Sequence, residues 1–274
     1  MAERVLVAGL GLLGGSFARA LRRVRPDCRI LGLETDPVHG GQARALGLVE
    51  GLWDPGSAGE PFDLVFLAVP PSAMAPVLET IRPGVGVRTL VMDACSVKGP
   101  VLRAMAQAFP GHGGLVPAHP IAGSHASGPA SADPALFTGC QVVLSPLPST
   151  EPWALTAARK LWCDLGAGVR EMEAEDHDRT LALLSHLPHL AAFALAGLAS
   201  GADLSLAGPG FRDSTRLARC PPGLWADIAL ANREALGPLL EAYATRLIGL
   251  KGLLDGGDRA ELQKCLMNGA LGGE

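Results

Sequence analysis

Of the 274 residues in the chain, 35 are glycine and 22 proline, while aromatics make up only 4%. Glycine is about twice as frequent as its ~7% share in ordinary proteins, but it lacks the every-third-residue period of collagen. With 48% hydrophobic and 18% charged residues, the chain is too apolar to be disordered and long enough for one large or two ordinary domains. A net charge of −4 with no block of Lys or Arg leaves neither nucleic acid nor an anionic membrane as an expected partner.

The first twenty residues loosely imitate a signal peptide, but the glycines at 9, 11, 14 and 15 and the arginines at 19, 22 and 23 give them another reading. Residues 4–8 read as a short buried strand that runs into Gly9-Leu10-Gly11-Leu12-Leu13-Gly14-Gly15-Ser16, and a helical stretch, 16–24, follows at once. Strand before and helix after is the context that a dinucleotide-binding G-x-G-x-x-G turn requires. Gly9 makes the tight turn, Gly11 lets backbone reach a pyrophosphate and Gly14 lets helix pack on strand. Backbone N–H groups of the turn and helix start, Leu12 and Leu13 included, then hold the phosphates.

Residues 29–33 read as a second strand ending on Glu34, twenty residues after Gly14. A carboxylate there accepts hydrogen bonds from the ribose hydroxyls and repels a 2′-phosphate. NAD is therefore expected over NADP, although His39 and Arg44 remain to help a phosphate. A third run, 64–69, stops at Pro70-Pro71, so Val69 and Pro70 would wall the adenosine or nicotinamide side, while Pro71 and Ser72 also read as an ordinary helix start.

A fourth run, 90–92, is followed by Ser96 and Lys98 at the same sheet edge. The hydroxyl could position a histidine or a substrate oxygen, or cap a helix ahead of Pro100. With helical stretches at 40–46, 72–80 and 100–109 between the strands, the pattern predicts a parallel sheet covered on both faces. His119 follows the apolar pair 115–116, at the edge where open α/β folds bind ligands. A histidine there serves as a general base near neutral pH or is simply structural. Residues 140–145 predict one more strand, at an edge.

Beyond Pro146, Pro148 and Pro152 the texture becomes helical, with stretches at 154–165, 174–200, 225–254 and 259–268. The reading is therefore an α/β chain: a Rossmann-type dinucleotide-binding domain over 1–150, then an all-helical domain over 151–274. Residues 181–199 are long enough to cross a bilayer, but Ser185, His186, Pro188 and His189 favour a helix buried in protein. His186 and His189 share a helical face, and Asp178 could add an oxygen ligand. With Pro188 between them and no third ligand at convincing spacing, no metal is expected. Arg212 and Arg216 lie in a glycine-led loop, and arginine forks grip carboxylates; Arg212 also suits an internal pair with Asp213. Lys98, His119, His125, His189 and Arg216 together would make a basic cleft for a small anionic substrate. Six cysteines without a C-x-x-C pair point to a reducing cytoplasm.

Taken in order, the glycine turn, Asp93-Ala94-Cys95-Ser96-Val97-Lys98, His-Pro-Ile-Ala-Gly-Ser at 119–124, Ser185-His186-Leu187-Pro188-His189, the segment 210–218 and Trp225 with Asp227 and Asn232 resemble the prephenate/arogenate (cyclohexadienyl) dehydrogenases of tyrosine biosynthesis. The resemblance implies oxidative decarboxylation of prephenate to 4-hydroxyphenylpyruvate, of arogenate to tyrosine, or of both, with hydride transfer to NAD(P). It further implies a homodimer formed through the helical domain, with His119 as the base on the ring hydroxyl and Ser96 as its supporting hydroxyl, also beside the cofactor. His189 is then a substrate-side histidine, Arg216 the grip on a substrate carboxylate and Trp225 a residue near the site. Two departures stand out. His125 replaces an acid common in relatives and suits prephenate's keto-acid carboxylate better than arogenate's ammonium, and Cys95 replaces a glycine usual before the serine. Rival readings are a secondary-pathway dehydrogenase of an amino-deoxyprephenate-like acid, and a nucleotide-binding sensor without turnover, which needs no base beside the nicotinamide.

Overall fold

Val5, Leu6, Val7 and Ala8 point alternately to the two faces of a sheet and are shielded from solvent on both, as in a parallel strand covered on each side. In the computed structural model, which describes residues 3–57, 59–123 and 126–269, this strand, β1 (Arg4–Ala8), is central to a six-stranded parallel sheet. Helix α1 (Leu12–Val24) leads to β2 (Arg29–Leu33), and α2 (Pro37–Ala45) to the short edge strand β3 (Gly51–Leu52). The chain then crosses to the other side of β1 and continues through β4 (Phe62–Leu67), α3 (Met74–Ile81), β5 (Val85–Asp93), α4 (Gly99–Ala108) and β6 (Leu115–Val116). The order β3-β2-β1-β4-β5-β6 reverses direction between β1 and β4, and open α/β sheets bind ligands in the crevice at that point. Pairing of Ala8 with both Leu33 and Leu67, and of Leu67 with Asp93, brings Gly9, Glu34, Ala68 and Ala94 out together at the carboxyl edge.

A second sheet is built from β7 (Ala118–Pro120), β8 (Gln141–Leu144) and β9 (Gly168–Glu171), with β8 antiparallel to β7 and parallel to β9. The strand expected near 140–145 thus exists, but at the centre of this small sheet rather than at an edge. Helix α5 (Pro152–Asp164) connects β8 to β9 and buries Ala154, Ala158, Leu161 and Trp162 in the same core as Phe17 and Phe66. Phe17 and Phe66 stack with ring centroids 3.9 Å apart, and Trp162 meets both edge-on. The boundary expected near residue 150 therefore shifts: residues 151–171 pack with the first unit, because that is where the apolar face of α5 finds its partners.

The helical unit starts with α6 (Ala174–Leu181), continues through a π-turn at Ala182–His186 and proceeds into α7 (Leu187–Leu198). Pro188 lacks an N–H and crowds the carbonyl one turn back, and the helix widens at that turn. By length and composition, Ala174–Leu198 could cross a membrane, yet its His177, Asp178 and His186 are buried in the protein. Then come α8 (Pro209–Ser214), α9 (Pro222–Ala231), α10 (Arg233–Gly256) and α11 (Arg259–Gly269). The single helix expected over 225–254 breaks at Asn232, whose side-chain amide donates to the Asp178 carbonyl and lies 3.0 Å from His186 Nδ1. The two units also meet where Ser72 Oγ donates to Asp227 Oδ2 at 2.6 Å.

Candidate active site

The glycine turn separates residues the fold demands from one it does not. Gly9 sits at φ +83°, and a Cβ there would lie 2.3 Å from the Ala68 carbonyl oxygen; one on Gly14 would lie 1.9 Å from the Gly9 carbonyl oxygen. Gly11, by contrast, has nothing within 4 Å of where its Cβ would be. No side chain caps α1 at Gly11, so the backbone before Leu12 and Leu13 is bare at the helix end that attracts anions. These residues fit a dinucleotide pyrophosphate.

Glu34 is fixed beside this turn. Its Oε2 accepts from Leu10 N at 2.9 Å, and Oε1 accepts from Thr35 N at 2.9 Å and Asp36 N at 3.1 Å. The carboxylate thus engages three backbone donors beside the turn. His39 lies 3.8 Å from Asp36, and Arg44 is in the last turn of α2. On the β4 side, the Val69 carbonyl accepts from the Cys95 thiol at 3.2 Å, while Pro70 is exposed. Cys95 N donates to Asp93 Oδ2 at 2.8 Å, so the turn before Ser96 closes without a glycine. Burial pushes the Cys95 thiol far above its ordinary value, leaving it inert.

Lys98 does not line a basic cleft. It is fully buried, with Nζ 2.6 Å from both Asp93 Oδ2 and the Ala118 carbonyl. Asp93 Oδ1 accepts from Ala118 N at 2.8 Å. The pair therefore holds both backbone groups of Ala118, setting where His119 emerges.

His119 is almost fully buried, and its Nδ1 lies 2.8 Å from His177 Nε2; His177 Nδ1 in turn lies 2.8 Å from Asp178 Oδ1. Asp178 also accepts from Lys98 N at 2.7 Å and Gly99 N at 2.8 Å, capping α4 with its carboxylate. An ionised carboxylate only accepts, so Nδ1 of His177 carries a proton, and with His177 neutral its Nε2 accepts from His119 Nδ1–H. Nε2 of His119 is then the free lone pair. Nothing in the sequence pattern singles out His177, and Asp178 enters there only as a possible metal ligand. The available signal is a His-Asp pair in a helix whose neighbours Glu175, Asp176, Arg179 and Thr180 are all exposed.

Burial, reinforced by His177, Lys98 and His186, holds His119 well below the ordinary histidine range. Burial also pulls His186 down to about 4, partly offset by Asp178, and lowers His189, with Arg216 contributing. Burial alone would raise Asp178, but the His177 hydrogen bond and the Lys98 and Gly99 amides outweigh it and hold the carboxyl below its usual value. Each depressed histidine means that the unfolded chain binds more protons below pH 6.5. The stability they contribute is complete above that pH and is lost as pH falls toward 4. Melting should therefore occur at a lower temperature at about pH 5 than at about pH 7; an unchanged midpoint would contradict the buried neutral histidines.

Beside His186, whose ring lies 6.1 Å from that of Trp225, the His189 ring stacks on Trp225 at 3.4 Å between centroids and 17°, and its Nδ1 donates to the Ser185 carbonyl at 2.8 Å. Arg216 is exposed on a short turn, Arg216–Arg219, close enough to His189 for its charge to be felt. Arg212 Nε donates to the Ala207 carbonyl rather than pairing with Asp213. Ser96 is half-buried, and its hydroxyl has no hydrogen-bond partner among the described residues. It neither bonds His119 nor caps α4, where Lys98 occupies the N-cap position. His125 lies outside the described residues. A neutral imidazole nitrogen at the carboxyl edge of a dinucleotide-binding sheet can take the proton of a hydroxyl while hydride leaves the carbon that bears it, the chemistry of alcohol oxidation.

Residues 17–171 match the family model described as prephenate dehydrogenase, nucleotide-binding domain, and residues 173–268 that of prephenate dehydrogenase, dimerization domain. The two matches meet just after β9. The chain is 35% identical over 257 residues to a cyclohexadienyl dehydrogenase of Zymomonas mobilis, covering 91% of this chain and 87% of that one. It is 32% identical over 244 residues to a prephenate dehydrogenase of Bacillus subtilis, covering 86% and 66%. The crystal structure of prephenate dehydrogenase from Aquifex aeolicus, in complex with hydroxyphenyl propionate and NAD+, superposes with a TM-score of 0.88 at 29% identity, over 98% of this chain and 96% of that one. Arogenate dehydrogenase from Synechocystis gives 0.76 at 29% identity, over 97% and 96%. Fold, order of motifs and sequence likeness along both units agree, and the chain belongs to the prephenate dehydrogenase family of NAD(P)-dependent oxidoreductases.

Proposed function

We propose that the protein oxidatively decarboxylates prephenate to 4-hydroxyphenylpyruvate, and arogenate to tyrosine by the same chemistry, with NAD preferred over NADP. The observation that carries this reading is the buried, neutral His119, oriented by His177 with its Nε2 free. NAD, when bound, supplies the hydride acceptor. His119 takes the proton of the ring C4 hydroxyl as hydride leaves C4. The ring carboxylate departs as CO2, its bonding pair completes the aromatic ring, and the phenolic oxygen recovers a proton from His119. Aromatisation makes the step effectively irreversible. Arg216 grips a substrate carboxylate, His189 and Trp225 form the substrate-side wall, and the free hydroxyl of Ser96 is available to bridge His119, substrate and cofactor.

The NAD preference rests on Glu34, which presents a carboxylate to the adenosine ribose and blocks three backbone donors from a 2′-phosphate. Glu34→Ser should lower the ratio of kcat/KM for NAD to that for NADP by about tenfold, the ~1.4 kcal/mol scale of one such hydrogen bond; an unchanged ratio would remove Glu34 as the selector.

The helical unit favours a homodimer. Leu236 is the only buried residue in the 24-residue α10, and Leu183, Leu184, Leu198, Leu230 and Ile248 are exposed. So many large apolar residues left exposed fit helices that pair with a second copy, and the family model for this segment is named for dimerization. Six free thiols support a reducing, cytoplasmic setting.

Offering prephenate or arogenate with NAD or NADP and following the near-ultraviolet absorbance of reduced nicotinamide tests the reading. Prephenate with NAD should be the fastest of the four combinations. Silence in all four would leave only a nucleotide-binding role.

A further inference from the structure

We infer that His177 and Asp178 act on the reaction through His119, as positioning residues that select its tautomer and share the charge it acquires. The inference rests on the reading of His119 as the base and extends it. Three observations carry it. The chain His119, His177, Asp178 runs in two 2.8 Å steps from β7 of the nucleotide-binding unit into the first helix of the other unit, so the base is oriented only when the two units are docked. His177 is fully buried, so no bulk water can replace either of its hydrogen bonds. Asp178 is itself anchored on the Lys98 and Gly99 amides at the start of α4, where the helix dipole favours its negative form.

The consequence is directional. With Asp178 accepting at one end and His177 neutral, each imidazole donates through Nδ1, and the lone pair appears on His119 Nε2. When Nε2 gains the substrate proton, the Nδ1 proton of His119 can be shared with His177 Nε2. The positive charge then lies on a chain that ends at a carboxylate. The tautomer-holding aspartate of a serine protease acts in this way without becoming protonated itself. The other groups facing the chain are Lys98, neutralised by Asp93, His186 from the π-turn, and Arg103, whose guanidinium approaches Gly99 from α4. Lys98 still disfavours extra positive charge on His119, while the carboxylate of Asp178, hydrogen-bonded to His177, makes its own end of the chain the favourable place for it.

The test uses the full-length enzyme with His177→Phe and His177→Gln, measuring kcat, the KM values for prephenate and NAD, and the pH dependence of kcat. His177→Phe should lower kcat at least about tenfold with both KM values within about twofold. It should also displace the acid limb of kcat, because the His119 imidazolium loses both the acceptor at its Nδ1 and the neighbouring imidazole that holds it down. His177→Gln can still accept from His119 Nδ1–H through its amide oxygen but cannot take a proton. It should recover part of kcat while the acid limb stays displaced, and it carries the test alone if the Phe variant does not fold. An acid limb that stays in place in both variants overturns the inference, whether kcat is unchanged or falls together with rising KM values. No turnover by the wild-type protein removes the assignment of His119 as base and this inference with it. Turnover by the wild type with unaffected variants removes the inference alone.

Discussion

His119→Ala is expected to lower kcat for prephenate by about 10²–10⁴-fold, the range contributed by a positioned general base, while NAD affinity stays within about twofold. The separation follows from the geometry. His119 is the middle residue of β7 in the second sheet, whereas the glycine turn and Glu34 follow β1 and β2 of the first. Alanine removes the only nitrogen with a free lone pair in the His119–His177–Asp178 chain. It also leaves His177 Nε2 buried without a donor, and an unpaired buried polar atom costs about 1–3 kcal/mol. His119→Asn, which can still donate to His177, should keep more of the stability but none of the base function. Titrating NAD by calorimetry alongside steady-state kinetics separates the two quantities. Turnover close to that of the wild type in either variant would remove His119 as the base.

Arg216→Ala should raise the KM for prephenate by about 10–100-fold, corresponding to the ~1.5–3 kcal/mol of hydrogen bonds to a charged partner. Arg216 is exposed and makes no ion pair among the described residues, so its removal should leave the melting temperature nearly unchanged. Arg216→Lys should recover only part of the loss, because an ammonium cannot form the two parallel bonds of a guanidinium on a carboxylate. A defect confined to NAD would contradict the role assigned here.

The parts of the fold that are legible in sequence are those written in consecutive residues. The glycine turn states its own context, because the strand before it and the helix after it are continuous with it, and Glu34 is found by counting to the end of the next strand. The positions of β1, β2, β4 and the end of β5 follow from short apolar runs between turn residues, whereas the two-residue β3 leaves no such run. What escaped depends on contacts between distant segments. His177 lies 58 residues from His119, and only the docking of α6 against β7 and α4 brings them together. Lys98 carries a charge that reads as available, yet Asp93, five residues earlier, neutralises it; burial rather than spacing decides between those roles. Strand β9, Gly168-Val169-Arg170-Glu171, has a single strongly apolar residue and two exposed ones, so its pairing with β8, and with it the domain boundary, has no local signal. His119 stands out in the sequence as a candidate base, but the side chain its Nδ1 meets is that of His177, with no hydrogen bond to Ser96.

The direct test of the central claim is the stoichiometry of one reaction. Purified protein, prephenate and NAD are mixed, and reduced nicotinamide and released CO2 are measured in the same sample, with the organic product identified by mass. Oxidative decarboxylation predicts one CO2 for each reduced nicotinamide and 4-hydroxyphenylpyruvate as product. Reduced nicotinamide without CO2, or CO2 without reduction, would contradict it.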